Sequence, residues 1–271
     1  MSTAGGGNAE MKIDPSRASA LTTALKSVQQ RVAAAAKGRN VRVVAVSKLK
    51  PASDILALYQ AGQRHFGENY AQELLEKAAL LPGDIKWHFI GGLQSNKCKP
   101  LSSSLPNLYL VSSVDSSKKA TQLDKGRSEL SSQTESLNIH IQVNTSGELS
   151  KSGVTPGSET TELAKHILAT CPHLSLVGLM TIGAIARSQA VKEGEENDDF
   201  KCLMGERDRL QEELKEQLGE RRLEVSMGMS EDFEAAVNMG SDEVRVGSTV
   251  FGQRPKREDF QVKAKIEEGK S

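Results

Sequence analysis

The sequence predicts an α/β fold, a single (β/α)8 TIM barrel preceded by an N-terminal helix. Short runs of β-branched and aliphatic residues recur along the chain, and VRVVAVSK at 41–48 is too continuous for a strand with one wet face. Between these runs lie segments whose apolar residues repeat every three or four positions, as in amphipathic helices. Strands and helices alternating eight times are typical of a parallel barrel. A doubly wound open sheet is the alternative.

The opening helix spans about 16–37, because Leu21, Leu25, Val28 and Val32 recur there at spacings of four and three. Eight apolar runs follow it and are short enough for strands buried on both faces. They lie at 41–48, 64–69, 85–92, 107–114, 138–145, 174–181, 223–230 and 242–252. Buried parallel strands require helices to cover them.

The segments between the strands supply these helices. Residues 53–62 end at a glycine, and 70–81 end before Pro82 and Gly83. Further helices are predicted at 115–136, 159–170 and 231–240, with a long one from Phe200 to Leu218 after a charged loop at 193–199, whereas 94–104 predicts a weak helix or a loop. The barrel therefore spans 16–255, between a flexible tail at 1–15 and a short charged tail at 256–271.

Composition describes a neutral chain. Lys+Arg and Asp+Glu are both 35 of 271 residues, so no basic field favours nucleic acid or an anionic membrane. No run approaches the roughly 20 apolar residues that span a bilayer. The three cysteines are distant and odd in number, which predicts a reducing, cytoplasmic location rather than a disulfide scaffold. Without a strong signal for a partner helix, we expect a monomer.

Functional residues of such barrels lie where the strands end, at the C-terminal face. Lys48 is the strongest candidate for a functional residue, because it ends the first apolar run. Burial there lowers the pKa of a lysine and makes its amine a nucleophile for carbonyl compounds. The alternative is a lysine that ends a strand and extends into water.

The last two strand ends carry a second candidate site. Ser226, Gly228, Gly247 and Ser248 offer small side chains and free amides, which can cradle an anion after the seventh and eighth strands. Arg245 interrupts a short apolar strand and needs an acceptor, either a structural carboxylate or a ligand. The five histidines show no spacing typical of metal ligands, so no metal is expected.

These strand-end residues lie in motifs of a known family. The chain resembles the pyridoxal phosphate homeostasis proteins, also called proline synthetase co-transcribed homologues. The motifs are VAVSKLKP, HFGENYAQEL, WHFIGGLQSNK, NTSGELSKSG, GLMTIG, SMGMSEDFEAA and VRVGSTVFGQR, in order along nearly the whole chain. The resemblance implies an alanine-racemase-like (fold type III) barrel that stores, buffers and delivers pyridoxal 5′-phosphate, with PLP-dependent apoenzymes as partners. LeuLys after Lys48 and Gly92 in the WHFIG motif depart from the family's common ThrLys and His.

The resemblance also implies roles for individual residues. Lys48 would hold the cofactor as an internal aldimine, and Asn69 and His88 would line the pocket. Arg245 would face the pyridine nitrogen. The residues implied around the phosphate are Ser226, Gly228, Gly247 and Ser248. Taken alone, His88 in a strand beside Trp87 is more typical of a satisfied core histidine.

The leading hypothesis is a non-catalytic carrier of the cofactor. A pyridine nitrogen facing a permanently charged Arg245 is not readily protonated, so the ring is a weak electron sink. Tyr59, Tyr70 and Tyr109 include no obvious strand-end acid or base. The alternative is a PLP-dependent amino-acid racemase or lyase, and a Schiff-base aldolase or other phosphosugar enzyme ranks third.

Overall fold

The computed structural model describes residues 11–148, 150–184 and 197–262. Eight parallel strands close into a barrel in sequence order, with β8 pairing back to β1, so the open-sheet alternative is wrong. The strands are β1 (Arg42–Val46), β2 (His65–Glu68), β3 (Lys86–Phe89), β4 (Leu108–Val114), β5 (Leu137–Gln142), β6 (Leu174–Met180), β7 (Glu224–Ser226) and β8 (Glu243–Val246). The predicted (β/α)8 barrel is confirmed.

Helices cover the outside of the barrel. They are α1 (Pro15–Ala36), α2 (Ala52–Gln60), α3 (Ala71–Ala78), α4 (Ser95–Ser104), α5 (Ser117–Arg127), α6 (Ser158–Thr170), α7 (Asp198–Glu213), α8 (Lys215–Leu218), α9 (Phe233–Asn238) and α10 (Ser248–Phe251), before a 3-10 turn at Arg257–Asp259. Among the described helices, none combines the length and the hydropathy that crossing a bilayer requires. The predicted tails lie largely outside the described residues, as do 193–196 of the predicted charged loop.

One open prediction is decided and several elements have other bounds than predicted; the helix predicted at 115–136, for example, ends at Arg127. Residues 94–104 do form a helix, because Ser102 is buried against α5 and donates to the Leu123 carbonyl at 2.9 Å. The long helix predicted to Leu218 breaks at Leu214, whose φ of −107° and ψ of 21° separate α7 from α8. The run at 242–252 is a strand only to Val246, and α10 follows Gly247.

The N-terminal helix forms as predicted. Asp14 caps α1 by accepting from the Arg17 amide at 2.6 Å, and Pro15 occupies the first helical position, where its missing N–H costs nothing. The four predicted apolar positions are all buried: Leu21, Leu25, Val28 and Val32. This face packs against α2, α9 and α10, on the side where the first and last strands meet.

The interior of the barrel is unusually polar near the start of its strands. TIM-barrel interiors are dominated by branched aliphatic residues. Here Arg42 donates to Glu224 and to Glu243, both at 2.9 Å. His140 Nε2 lies 2.8 Å from Glu224 Oε1, and Glu243 itself is fully buried. A charged network therefore lies beneath the C-terminal mouth of the barrel.

Candidate functional site

The structure gathers most of the predicted residues at the C-terminal mouth of the barrel, around β7, β8 and β1. Ser226 ends β7, and Arg245 lies in β8 directly beside β1. The Arg245 amide donates to the Gly228 carbonyl at 3.1 Å, which joins the two predicted strand ends. The Gly247 amide donates to Ser230 Oγ at 3.1 Å. The loops after β7 and β8 are thus tied together.

Lys48 follows β1 at the edge of this group. Arg42 points into the barrel toward Glu243, and the alternation of a strand puts Val44, Val46 and Lys48 on the same inward side. The side chain is half-buried, and its amine makes no hydrogen bond with any described residue. Burial, followed by the positive charge of Arg254, lowers the pKa of Lys48. These conditions favour an amine that reacts as a nucleophile.

A chain of hydrogen bonds joins Arg245 to the charged network beneath the mouth. Its guanidinium donates to the Thr181 carbonyl at 2.7 Å and to Ser226 Oγ. Ser226 Oγ in turn donates to Glu243 Oε1 at 2.8 Å. The sequence left open whether a carboxylate pairs with Arg245. In the structure, Ser226 lies between the Arg245 guanidinium and the Glu243 carboxylate and makes a hydrogen bond to each. Burial lowers the pKa of Arg245, while Glu243 and Asp232 oppose that shift.

Two glycines occupy positions where a side chain would not fit. Gly228 has a φ of +95°, and a Cβ there would lie 2.5 Å from the Ala236 Cβ. A Cβ on Gly247 would lie 2.2 Å from Arg254 Nη2 and 3.3 Å from the Val46 carbonyl. Ser248 beside it is exposed. The amides of Gly228 and Ser248 find no acceptor in the described part of the chain, so both can bind an external anion.

Asn69 lies across the mouth, directly after β2. The loop after β3 approaches its backbone so closely that a Cβ on Gly91 would be 2.1 Å from the Asn69 carbonyl oxygen. Its Oδ1 is buried and has no hydrogen-bond partner among the residues the structure describes. A buried acceptor without a partner costs free energy, which suits a position that binds a ligand.

His88 lies below the mouth rather than in it. It is fully buried in β3, where its Nε2 is 2.8 Å from His65 Nδ1 and its Nδ1 is 3.4 Å from Glu243 Oε2. Burial lowers the pKa of His88 to about 3, so the ring is neutral at physiological pH. Its predicted contact with a ligand stays a prediction. Among the described residues, Glu243 links it to the mouth by accepting from Ser226.

Arg254 is the mouth residue that sequence reasoning missed. It follows α10 and brings its guanidinium against Gly247, close enough for its charge to act on Lys48. Burial lowers the pKa of Arg254, and Glu68 opposes this. The available signal was its place at the end of the VRVGSTVFGQR motif, where a cation lies two residues after Gly252.

Comparison with known proteins identifies the family. Residues 20–255 match the family model of the alanine racemase N-terminal domain. A pyridoxal phosphate homeostasis protein of Schizosaccharomyces pombe is 47% identical over 237 residues, which are 88% of this chain and 94% of that protein. The chain belongs to the pyridoxal phosphate homeostasis protein family. The human pyridoxal phosphate homeostasis protein is 45% identical over 244 residues, covering 85% of this chain and 86% of the relative.

Solved structures place the pyridoxal phosphate homeostasis protein family among alanine-racemase-like barrels. PipY of Synechococcus elongatus PCC7942, solved with PLP bound, has a TM-score of 0.68 and 32% identity over 86% of this chain and 100% of its own. Alanine racemase of Corynebacterium glutamicum has a TM-score of 0.64 at 16% identity, over 93% of this chain and 64% of the racemase. The second likeness shows the fold alone, and the predicted alanine-racemase-like class is confirmed.

Proposed function

We propose that this protein binds pyridoxal 5′-phosphate through Lys48 and stores, buffers and delivers the cofactor without catalysing a reaction of its own. The observation that carries the proposal is the Lys48 amine, which is half-buried, has a lowered pKa and makes no hydrogen bond within the described residues. Its neighbours on β7 and β8 form an anion cradle. PipY, which is 32% identical, has been solved with PLP bound.

The residues of the mouth fit the two ends of this cofactor. Its aldehyde condenses with a primary amine and releases water, a reaction that needs the neutral form of the Lys48 amine. A phosphate needs amide donors and room for close approach of the backbone. Gly228 and Gly247 leave that room, Ser248 adds a hydroxyl, and Arg254 supplies a cation beside them. Asn69 Oδ1, after β2, is a further acceptor that lacks a partner within the part of the chain that the structure describes.

Arg245 supports a carrier rather than an enzyme. Arginine stays protonated in proteins, and a ring nitrogen that accepts a hydrogen bond from it cannot readily be protonated itself. The ring then withdraws electrons weakly, which disfavours chemistry at a bound amino acid. Two of the three tyrosines are also turned away from the mouth, because Tyr59 Oη donates to Asp84 outside the barrel and Tyr109 contacts His65 inside it. The third tyrosine, Tyr70, has the guanidinium of Arg257 stacked on its ring.

The test begins with the protein reconstituted with pyridoxal phosphate. We expect a visible absorption band and, after borohydride reduction, a mass increase of one reduced cofactor on the peptide that contains Lys48. Lys48→Ala removes both signals, and Lys48→Arg removes them while keeping the charge. Lys50→Ala is the matched control, because Lys50 instead donates to the Gln253 carbonyl. A band unchanged in Lys48→Ala would overturn the assignment.

A second experiment separates a carrier from an enzyme. The loaded protein is incubated with a panel of amino acids, and chirality and keto-acid release are followed over many equivalents. A carrier gives no turnover, whereas a racemase or lyase gives products in excess of the protein. Transfer is then measured by mixing the loaded protein with a PLP-dependent apoenzyme and following the recovery of enzyme activity. Failure to reactivate the apoenzyme would contradict delivery. Monomeric state and cytoplasmic location stay predictions.

A further inference from the structure

We propose that three buried residues on β2 and α3 act as a clamp that positions Lys48 by holding the backbone on both sides of it. The clamp consists of Glu68, Glu73 and Lys77. The inference rests on the proposed role of Lys48, and it assigns these three as positioning residues, since they act through the Lys48 turn. Among the described residues, none of the three makes a hydrogen bond to the cofactor cradle that follows β7 and β8.

Lys77 is the centre of the clamp. Its side chain is fully buried, and its Nζ donates to Glu68 Oε1 and Glu73 Oε1, both at 2.6 Å, and to the Ser47 carbonyl at 2.8 Å. All three donors of the ammonium group are therefore used. The four-residue spacing of Glu73 and Lys77 puts both on one face of α3, toward the end of β1.

The clamp holds both residues that flank Lys48. On one side, Ser47 accepts at its carbonyl from Lys77 and donates from Oγ to Glu68 Oε1 at 2.7 Å. On the other side, the Leu49 amide donates to Glu73 Oε1 at 2.7 Å. The backbone groups before and after Lys48 are thus bonded outward to α3. The Lys48 side chain is left free on the inward side.

The turn that the clamp holds is a strained one. Leu49 has a φ of +58°, a conformation that costs free energy in a residue with a Cβ and that surrounding structure must enforce. Two contacts hold it: the Lys50 amide donates to the Ser47 carbonyl at 3.0 Å within the turn, and the Leu49 amide donates to Glu73 from outside it. Without the bond to Glu73, the turn can relax to a negative φ and move the Lys48 amine away from β8.

A buried ion cluster is a poor device for stability alone. Desolvation of three charges is expensive, and apolar residues of similar size often stabilise a core as well or better. Apolar residues, however, cannot bind the Ser47 carbonyl or the Leu49 amide. Glu68 also keeps an unbonded Oε2 among the described residues, so the cluster is not optimised for satisfied hydrogen bonds. Positioning of the Lys48 turn explains why charges lie here.

The clamp also acts on Lys48 through its charge, in the direction opposite to burial. Glu68 and Glu73 raise the pKa of Lys48, whereas burial and Arg254 lower it. Loss of a clamp carboxylate therefore lowers the pKa of Lys48 while releasing the turn. A positional effect slows the reaction of Lys48 at every pH, and an electrostatic effect only shifts its pH profile. The two effects can be told apart.

The test compares variants that keep or remove the bond to Leu49. Glu73→Gln retains an acceptor oxygen for the Leu49 amide, whereas Glu73→Leu does not. Lys77→Met removes the centre of the clamp. Arg127→Met is the matched control for loss of a buried cation, because Arg127 donates to carbonyls distant from Lys48. Far-UV circular dichroism and thermal unfolding establish that each variant is folded.

Two readouts are measured on each folded variant. One is the rate of pyridoxal phosphate capture, followed by the absorption band. The other is the rate of reductive methylation of Lys48 in the cofactor-free protein, followed by mass spectrometry across pH. We expect Lys77→Met and Glu73→Leu to slow capture about tenfold or more, since small misplacement of a reactive group has effects of this size. Glu73→Gln and Arg127→Met stay within about twofold of the unaltered chain.

A rescue variant tests the strain directly. Glycine adopts positive φ without a steric cost, so Leu49→Gly added to Lys77→Met is expected to restore part of the capture rate. Equal capture by Glu73→Gln and Glu73→Leu would overturn the clamp, as would a folded Lys77→Met that captures normally. If the unaltered protein captures no cofactor, the proposed function fails instead, and the methylation rates still decide whether the clamp positions Lys48. Loss of folding in Lys77→Met leaves the Glu73 pair as the deciding comparison.

Discussion

Acidification is expected to destabilise the barrel through two histidines in its interior. His65 Nδ1 and His88 Nε2 lie 2.8 Å apart, so one ring donates and the other accepts. Protonation of both rings would turn both of these nitrogens into donors and break the bond. Burial is also the main cause that lowers the pKa of His65 to about 4 and of His88 to about 3. Both rings are therefore neutral in the folded protein at pH 5.

The sign and the size of the effect follow from these values. An unfolded histidine has a pKa of about 6.5, so below that pH the unfolded chain binds protons that the folded chain does not. The stabilisation is complete above pH 6.5 and is lost as the pH falls toward the folded values. At pH 5.0 the lowered pKa of fully buried His88 reduces the unfolding free energy of the protein by about 2 kcal/mol. Half-buried His65 adds about 1 kcal/mol after allowance for solvent screening.

The assay is urea denaturation at pH 7.5 and pH 5.0, with the change in unfolding free energy between the two as the measured quantity. Other groups titrate in this interval, Glu68 among them, because burial raises the pKa of its carboxyl to about 7. The comparison is therefore with the double variant His65→Gln/His88→Gln, which retains those groups. We expect its loss of stability to be smaller by about 3 kcal/mol.

A matched control uses a histidine that is not buried. His173 lies after α6 with its side chain 47% exposed, and His173→Gln controls for replacing a histidine outside the barrel interior. The same pH dependence in the double variant and in the unaltered chain would refute the argument that these two rings are held neutral by burial.

Three further predictions concern the mouth and the network beneath it. In Gly91→Ala, the new Cβ would meet the backbone of Asn69, so we expect the unfolding free energy from urea denaturation to fall by about 2 kcal/mol. In Gly92→Ala, the new Cβ has open space, so the unfolding free energy should stay within about 0.5 kcal/mol of that of the unaltered chain. Arg254→Gln removes a positive charge that lowers the pKa of Lys48, so the pH profile of Lys48 methylation should shift to higher pH; an unshifted profile contradicts it. Glu243→Gln removes a charge partner of a buried network and should cost about 3 kcal/mol of unfolding free energy; a loss below about 1 kcal/mol counts against the network.

Most of the barrel could be predicted from the sequence because strands buried on both faces have nearly continuous apolar runs. The run at 41–48 contains β1, and the later runs contain their strands except that β5 begins one residue earlier, at Leu137. Helix α4 was harder to predict, since Pro100 and four serines weaken its intrinsic preference. It is stabilised by contacts with α5, where a Cβ on Gly126 would lie 2.0 Å from Ser102 Oγ. Such contacts join residues that no local pattern connects.

The candidate site was predictable where it coincides with strand ends. Lys48, Ser226 and Arg245 are polar residues that end or interrupt apolar runs, and the barrel places such positions at one mouth. Arg254 was not predictable in this way, because it lies beyond the last strand and returns over Gly247. Charged residues that begin strands, such as Glu243, look like solvent-exposed ends in the sequence, and closure of the barrel buries them.

The pairing of the first strand with the last has a consequence for synthesis of the chain on the ribosome. Val44 of β1 pairs with Arg245 of β8, so the two walls of the proposed site lie far apart in the sequence and are synthesised at different times. Contacts this distant in sequence form late, after loop closure over nearly the whole domain. A nascent chain that has already exposed Lys48 still lacks Arg245 and the glycine cradle. In the proposed carrier, the aldehyde therefore meets a complete site only after β8 has been synthesised and the barrel has closed.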